Sequence, residues 1–347
     1  MPAPPRVMHD PRMEIVHSSA TARTRPTPVP VALDEVISWG CSGKGWNCCT
    51  DKAIPVKPYD MVRLRHATAK PSQALINERI VHFDWDDAGT LTGWLAQRPY
   101  EANRVACLFY EELTNLDAVR MRDQDPERFA TMPQAVRDAA ERRQGGTWRV
   151  AGLCGVHQNR PGACRGYPFQ RDPRWADHPE RAAGQIFNCG SCALAERTTV
   201  REVMLDNDIV PFWQADDAYR AVAQYLHARG FANINDRRYR ALAVDLQQRA
   251  NVWLALYVPD ASPRVREAYP DHWLTPHDIE GDRQVYRMLL EDALDRADAM
   301  VAASGIAPAD LGGPGTNAER PDVAALLDPA REVLPPPAVI PVSLATT

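Results

Sequence analysis

Eight cysteines are the residues of this 347-residue chain whose type and spacing could do chemistry, and all lie between positions 41 and 192. They are Cys41, Cys48, Cys49, Cys107, Cys154, Cys164, Cys189 and Cys192. The first three lie in the glycine-rich stretch GCSGKGWNCCTD, and the last two form a Cys-x2-Cys pair. Thiolates are soft ligands that suit zinc and iron–sulfur clusters, and a two-residue spacing lets one turn present two donors to one ion. The pattern therefore indicates metal binding.

The adjacent pair Cys48 and Cys49 is the least typical of an ordinary core. Neighbouring side chains of an extended segment point to opposite faces, so two adjacent thiols serve two centres or converge through a turn. Zinc and cubane clusters each take four ligands, so eight thiols and His157 could form two sites or one site with bystanders. Alternatively, Cys107 is a small buried hydrophobe and His157 an ordinary loop histidine. We rank Cys154 and Cys164 with the adjacent pair as the leading ligand candidates.

Arginines surround the second half of the cysteine set. Arg160 and Arg165 flank Cys164 closely and are candidates to donate hydrogen bonds to ligand sulfurs, as is His157. A divalent ion held by four thiolates carries a net charge of about −2, which nearby guanidinium groups would offset. The segment around these ligands is too poor in apolar residues to order itself, so its folding is expected to depend on metal.

The elements that must position these ligands are of mixed type. The segments RIVHFDW, LTGWLAQ, RVACLFY and WRVAGLC are short and rich in β-formers, so they predict strands. PYDMVRLRHA and DPERFATMPQAVRDAAERR predict helices, and residues 155–180 predict a loop. We expect an α+β fold in which a small, irregular, cysteine-rich, metal-centred domain with short strands is followed by a helical region.

The helical region begins after the last cysteine. Residues 216–230, 235–257 and 282–303 each place apolar residues at helical spacing, with Asp216 as the cap of the first helix and Gly230 as its end. Pro-rich and small polar composition predicts disorder at both ends of the chain, with one short helix near DVAALLD. The expected division is a disordered arm at 1–32, a metal-binding domain at 33–192, a helical region at 193–304 and a disordered tail at 305–347.

Composition excludes several classes of function. The net charge of −5 gives no electrostatic reason to expect nucleic acid or an anionic membrane as a partner. No apolar run reaches the roughly 18 residues that span a bilayer, and the N-terminus lacks the apolar core of a secretory signal. We therefore expect a cytoplasmic protein with reduced thiols, whose partner is a metal ion and in which four disulfides are disfavoured.

The cysteine segments resemble a known family. CSGKGWNCC, then the cysteine of CLFYEE, then CGVHQNRPGACRGYP are similar to the YkgJ-type cysteine-cluster proteins, a zinc- or iron-chelating family. The resemblance covers about residues 41–192 and is closest in the last element. Two departures are visible. Six non-cysteine residues follow Cys41, where the family usually has another cysteine, and about forty residues, 111–147, are inserted before Cys154.

The resemblance implies zinc or iron held by clustered thiolates, as single ions or as a [4Fe–4S] cluster, without implying a reaction. Flagellin lysine N-methylases resemble the same pattern, so a cluster-containing protein methyltransferase that uses S-adenosylmethionine is the alternative function. A thiol redox protein that uses Cys189 and Cys192 is the second alternative. Whether the protein is an enzyme stays open at this point, because residues 193–304 contain no recognisable methyl-donor site.

Overall fold

The computed structural model describes residues 29–38, 49–86, 89–100, 104–132, 134–142, 145–167, 169–171, 181–184, 197–231, 246–271, 278–305, 307, 319–331 and 333–334. Its strands are β1 (Val29–Ala32), β2 (Val36–Ser38), β3 (Pro55–Val56), β4 (Val81–Trp85), β5 (Leu91–Leu95), β6 (Gln97–Pro99), β7 (Val105–Cys107), β8 (Tyr110–Thr114), β9 (Arg149–Cys154), β10 (Phe169–Arg171), β11 (Arg181–Gly184) and β12 (Arg197–Thr199).

Helices connect and follow these strands. They are α1 (Pro58–Thr68), α2 (Ser72–Asn77), α3 (Asn115–Gln124), α4 (Pro126–Ala130), α5 (Gln134–Glu141), α6 (Gly162–Gly166), α7 (Val200–Asp206), α8 (Ile209–Leu226), α9 (Leu246–Ala255), α10 (Pro263–Ala268), α11 (Ile279–Ser304) and α12 (Val323–Leu326). A 3-10 turn spans His157–Asn159.

All strand pairs in the described residues are antiparallel and short. The sheets have the orders β1-β11-β10, β12-β2, β3-β5-β4, β6-β7 and β8-β9. Short connections join β4 to β5 and β6 to β7, as antiparallel pairing allows, whereas β8-β9 and β1-β11 join strands from distant parts of the chain. The predicted α+β class is confirmed, with strands at each of the four predicted segments.

Helix α1 lies at the centre of the molecule. Its apolar side chains share one buried cluster with strands of the cysteine-bearing region and with α8 and α11. The ring of Tyr59 packs 5.2 Å from Phe212 of α8 and 5.2 Å from Tyr286 of α11, measured between ring centroids. A continuous core therefore joins the two segments that the sequence divides at residue 192, and that division remains a prediction.

The helical region differs in detail from its prediction. Helix α8 begins at Ile209 and not near residue 216, so the prediction that Asp216 caps this helix is wrong. The Asp216 carboxylate instead accepts from the Lys57 ammonium at 2.5 Å. Gly230 has a φ of 83°, which suits the helix end predicted there. The helix predicted at 235–257 is described from Leu246 onward, and 232–245 lie outside the described residues.

An ordered segment lies within the predicted C-terminal tail. Val323, Leu327 and Val333 are buried in the main core, and the predicted short helix is present as α12. The Gln214 side-chain amide donates to the backbone carbonyls of Asp328 at 2.9 Å and Arg331 at 3.0 Å. Residues 319–331 and 333–334 therefore include a helix, α12, that packs against α8 and α11, and the remaining predicted tails lie mostly outside the described residues.

Candidate metal centre

The structure describes four of the eight candidate ligands. They are Cys49, Cys107, Cys154 and Cys164, which form no disulfide with one another. Cys41, Cys48, Cys189 and Cys192 lie outside the described residues, so the Cys-x2-Cys pair has no structural account here. Each of the four described cysteines packs against the main hydrophobic cluster or belongs to it.

Cys49 and Cys107 are neighbours through their backbones. The Cys107 amide donates to the Cys49 carbonyl at 2.8 Å, and the Asp51 amide donates to the Val105 carbonyl at 2.9 Å. Thr50 forms an isolated antiparallel bridge with Ala106. The segment after the adjacent cysteines therefore runs antiparallel along β7, which ends at the buried Cys107.

Cys154 lies on the antiparallel pair formed by β8 and β9. It is the last residue of β9 and pairs with Tyr110, three residues beyond Cys107. The Gly155 amide donates to the Phe109 carbonyl at 2.8 Å. Burial raises the pKa of the Tyr110 hydroxyl. Cys49, Cys107 and Cys154 are thus gathered around residues 107–110.

Cys164 comes from the short helix α6, which lies inside the predicted loop 155–180. Helix α6 contacts β3, and Tyr167 follows directly at its C-cap. The Lys52 ammonium lies 5.9 Å from the centroid of the Tyr167 ring. The end of α6 is therefore close to the segment that follows Cys49, and all four described cysteine segments meet in one part of the fold.

The described side chains do not complete a metal site by themselves. Within the described ranges, no three His, Cys, Asp or Glu side chains are arranged to hold a metal ion. The residue type nevertheless suits a soft ion, because cysteines from separate segments pack against, or belong to, the same apolar core. A four-ligand centre here would need cysteines from outside the described ranges, and Cys48 is covalently next to Cys49.

Arg165, the residue after Cys164, fastens the segment that lies between Cys154 and Cys164. Its side chain is 3% exposed and donates to the carbonyls of Gln158, Arg160 (3.3 Å) and Asn207 (3.1 Å). Its guanidinium also lies 4.8 Å from the centroid of the Phe212 ring. Burial, with the charges of Arg160 and Arg63, lowers the pKa of Arg165 to about 10. Arg165 Nη1 also donates to a carboxylate oxygen of Asp208 at 3.4 Å, and its predicted bond to sulfur stays a prediction.

Arg160 and His157 contact each other on the surface of the same segment. Arg160 Nη1 donates to the His157 carbonyl at 2.7 Å and lies 3.3 Å from the ring nitrogen Nδ1. His157 is exposed as a residue, yet desolvation of its ring and the charges of Arg160 and Arg165 lower its pKa to about 4. The imidazole is therefore neutral near pH 7, and its predicted role beside the metal stays a prediction.

Sequence reasoning missed the residues of α1 that fasten this segment. The Asp60 carboxylate accepts from the Gly162 amide at 2.8 Å, and Arg63 Nη2 donates to the Gln158 carbonyl at 3.3 Å. Both side chains are buried. The available signal was the sequence PYDMVRLRHAT, a helix that contains both apolar residues and ionisable residues of both signs. Burial of such a helix requires internal partners for its charges.

Comparisons with known proteins identify no relative. No family model, no curated protein and no solved structure matches this chain. The similarity to YkgJ-type proteins therefore remains an expectation from the residues alone. Among the described helices, none has both the length and the apolar character that crossing a bilayer requires.

Proposed function

We propose that this protein binds zinc or iron through clustered cysteine thiolates, as single ions or as a [4Fe–4S] cluster. The observation that carries the proposal is the meeting of four cysteine segments, separated by up to 115 positions, around residues 107–110 and α6. Thiolates gathered in this way suit borderline and soft metals. The YkgJ-type pattern of the same residues agrees with this function.

The charge distribution supports the same proposal. Three guanidinium groups, those of Arg63, Arg160 and Arg165, surround the segment between Cys154 and Cys164, and the charges of the first two lower the pKa of the third. Positive charge held in a partly buried place is offset by thiolates, which carry negative charge when they bind metal. The arginines would thus favour the deprotonated, metal-binding form of the cysteines.

A paired substitution tests the proposal. Protein purified without oxygen is compared with the Cys154→Ala and Cys164→Ala variants, and metal and acid-labile sulfide are measured per chain. We expect each cysteine variant to lose most of its bound metal, because a four-ligand site rarely survives the loss of a ligand. Thr131→Ala, an exposed change in the inserted helices, is the matched control and should keep the wild-type content. Equal metal content in all four proteins would refute the proposal.

The metal identified also separates the forms of the function. Zinc without sulfide or colour would favour a structural or metal-handling role. Iron with sulfide and a brown absorbance near roughly 400 nm would favour a cluster. The methyltransferase alternative would then be tested by binding of S-adenosylmethionine.

A further inference from the structure

The segment between Cys154 and Cys164 is fastened to α1 at two points. Asp60 Oδ1 accepts from the Gly162 amide at 2.8 Å, at the start of α6, which carries Cys164. Arg63 Nη2 donates to the Gln158 carbonyl at 3.3 Å, near the middle of the segment. The position of this segment is therefore set by side chains about 100 residues earlier in the chain.

Arg63 is in turn held by α11. Its Nη1 donates to Asp282 Oδ2 at 2.9 Å, and His66 Nε2 lies 2.6 Å from Asp282 Oδ1. The side chain of Asp282 is 0% exposed and that of Arg63 is 3% exposed. A fully buried carboxylate thus joins two side chains of α1, and one of them reaches the cysteine segment directly.

This arrangement gives Arg63 only a narrow choice of positions. A buried ion pair with good geometry is costly to break, because the remaining charge has lost its compensation in a medium of low dielectric. The planar guanidinium can satisfy Asp282 and the Gln158 carbonyl together only in a limited range of orientations. Its stacking 5.7 Å from the centroid of the Phe212 ring restricts it further.

We propose that Asp282 is a positioning residue for the metal centre, although it lies 118 positions beyond Cys164. Through Arg63 it sets the place of the Gln158 carbonyl, and so the separation and orientation of Cys154 and Cys164. The inference rests on the proposed metal binding and adds that α11 controls how firmly the metal is held. Because coupling is reciprocal, bound metal also stabilises the docking of α11 on α1.

The Asp282→Asn variant tests this inference. It keeps the size of the side chain but removes the charge that orients Arg63. We expect the variant to bind the wild-type amount of metal at saturation but to release it to a chromogenic chelator about 10-fold faster, in line with substitutions of residues that orient ligands. Glu280→Gln on the same helix, which changes an exposed carboxylate paired with Arg283, should leave the rate unchanged.

A second control separates positioning from general loss of stability. Val301→Ala removes buried apolar contacts near the other end of α11, roughly 28 Å from Asp282 by helical rise. It should lower the melting temperature without speeding metal release. Faster release from Val301→Ala equal to that from Asp282→Asn would overturn the positioning role, as would an unchanged rate in Asp282→Asn.

A readout without metal keeps the two proposals distinguishable. In metal-free protein, Asp282→Asn should speed amide hydrogen exchange of residues 155–166, and Glu280→Gln should not. A wild-type chain that holds no metal would refute the proposed function, whereas unchanged exchange at 155–166 would refute the link from Asp282. If Asp282→Asn does not fold, Arg63→Lys replaces it, because lysine keeps the charge but loses the planar fork that reaches Gln158. The same faster release and exchange are expected, and wild-type values would overturn the link.

Discussion

Two neighbouring segments of this chain are held in place by opposite means. Residues 111–132, 134–142 and 145–147 have a small apolar core of their own, in which Leu113, Ala118 and Val136 pack with β9. Thr114 and Asp117 cap α3 reciprocally. Residues 155–166 contain little apolar material and are held by the buried charges of Asp60 and Arg63. The first segment is stabilised by its own sequence, and the second by helices distant in the sequence.

The comparison explains why a cysteine segment can be both irregular and well placed. Apolar packing is non-directional, and it tolerates small shifts of the groups that it buries. Hydrogen bonds from buried charged groups are directional and fix the carbonyls and amides that they contact. A metal centre needs ligands at defined separations, which the second means of support provides.

The largest expected effect comes from breaking the buried ion pair between Arg63 of α1 and Asp282 of α11. Arg63→Ala should lower the free energy of unfolding by about 3–5 kcal/mol, because it removes the guanidinium that pairs with the fully buried carboxylate of Asp282. Arg120→Ala removes the exposed pair with Asp117 on α3 and should lower the free energy of unfolding by at most about 0.5 kcal/mol. Urea unfolding of both variants measures the difference. Similar losses in the two variants would contradict the account of how the segments differ.

A smaller effect is expected from the charge state of Asp60. Burial raises the pKa of this carboxyl to about 6, from an ordinary value of 3.8. The folded chain therefore keeps the proton up to about pH 6, whereas the unfolded chain loses it near pH 4. Stability due to this group is fully present below pH 4, falls as the pH rises to about 6, and is level above, a change of roughly 3 kcal/mol at most.

Asp60→Asn cannot lose a proton and should lack this component. The free energy of unfolding of the wild type minus that of the variant should fall between pH 4 and pH 6.5, measured with metal-free protein. Parallel curves for the two proteins across that range would show that Asp60 does not titrate as its burial requires.

The smallest effect concerns the separate apolar core that contains Leu113, Ala118 and Val136. Val136→Ala on α5 should cost about 2 kcal/mol, the transfer free energy of two methylenes plus a cavity. Bound metal per folded chain should not change, because Val136 belongs to a cluster separate from the one that the cysteines contact. Thermal unfolding and metal analysis of one preparation give both values. A loss of metal from folded Val136→Ala would show that this separate apolar core also positions the metal ligands.

The sequence predicted the parts of the fold that depend on local patterns. Richness in β-formers identified β5, and helical periodicity identified α11. Helix α8 was found but placed seven residues too late, because its first turns contain Pro211 and bulky aromatic residues. Helix α6 was missed because its five residues, GACRG, carry no helical pattern. Its start is held by the hydrogen bond from the Gly162 amide to Asp60, which the sequence does not reveal.

The candidate site divides in the same way. The cysteines are recognisable from residue type and spacing; the segments that carry four of them lie close together in the structure, and their role as ligands stays a prediction. Asp60, Arg63 and Asp282 could not be recognised, because their roles arise from pairing across 95 to 219 positions. Charged residues on a helix are usually solvated, and only the packing of α1 between other elements reverses that expectation.

The most direct test of the central claim is the metal and acid-labile sulfide content of the full-length protein, purified without oxygen. The account predicts at least one zinc or iron ion per chain, lost when Cys154 and Cys164 are both replaced by alanine. Metal-free wild-type protein that is fully folded, with its thiols oxidised in pairs, would contradict it.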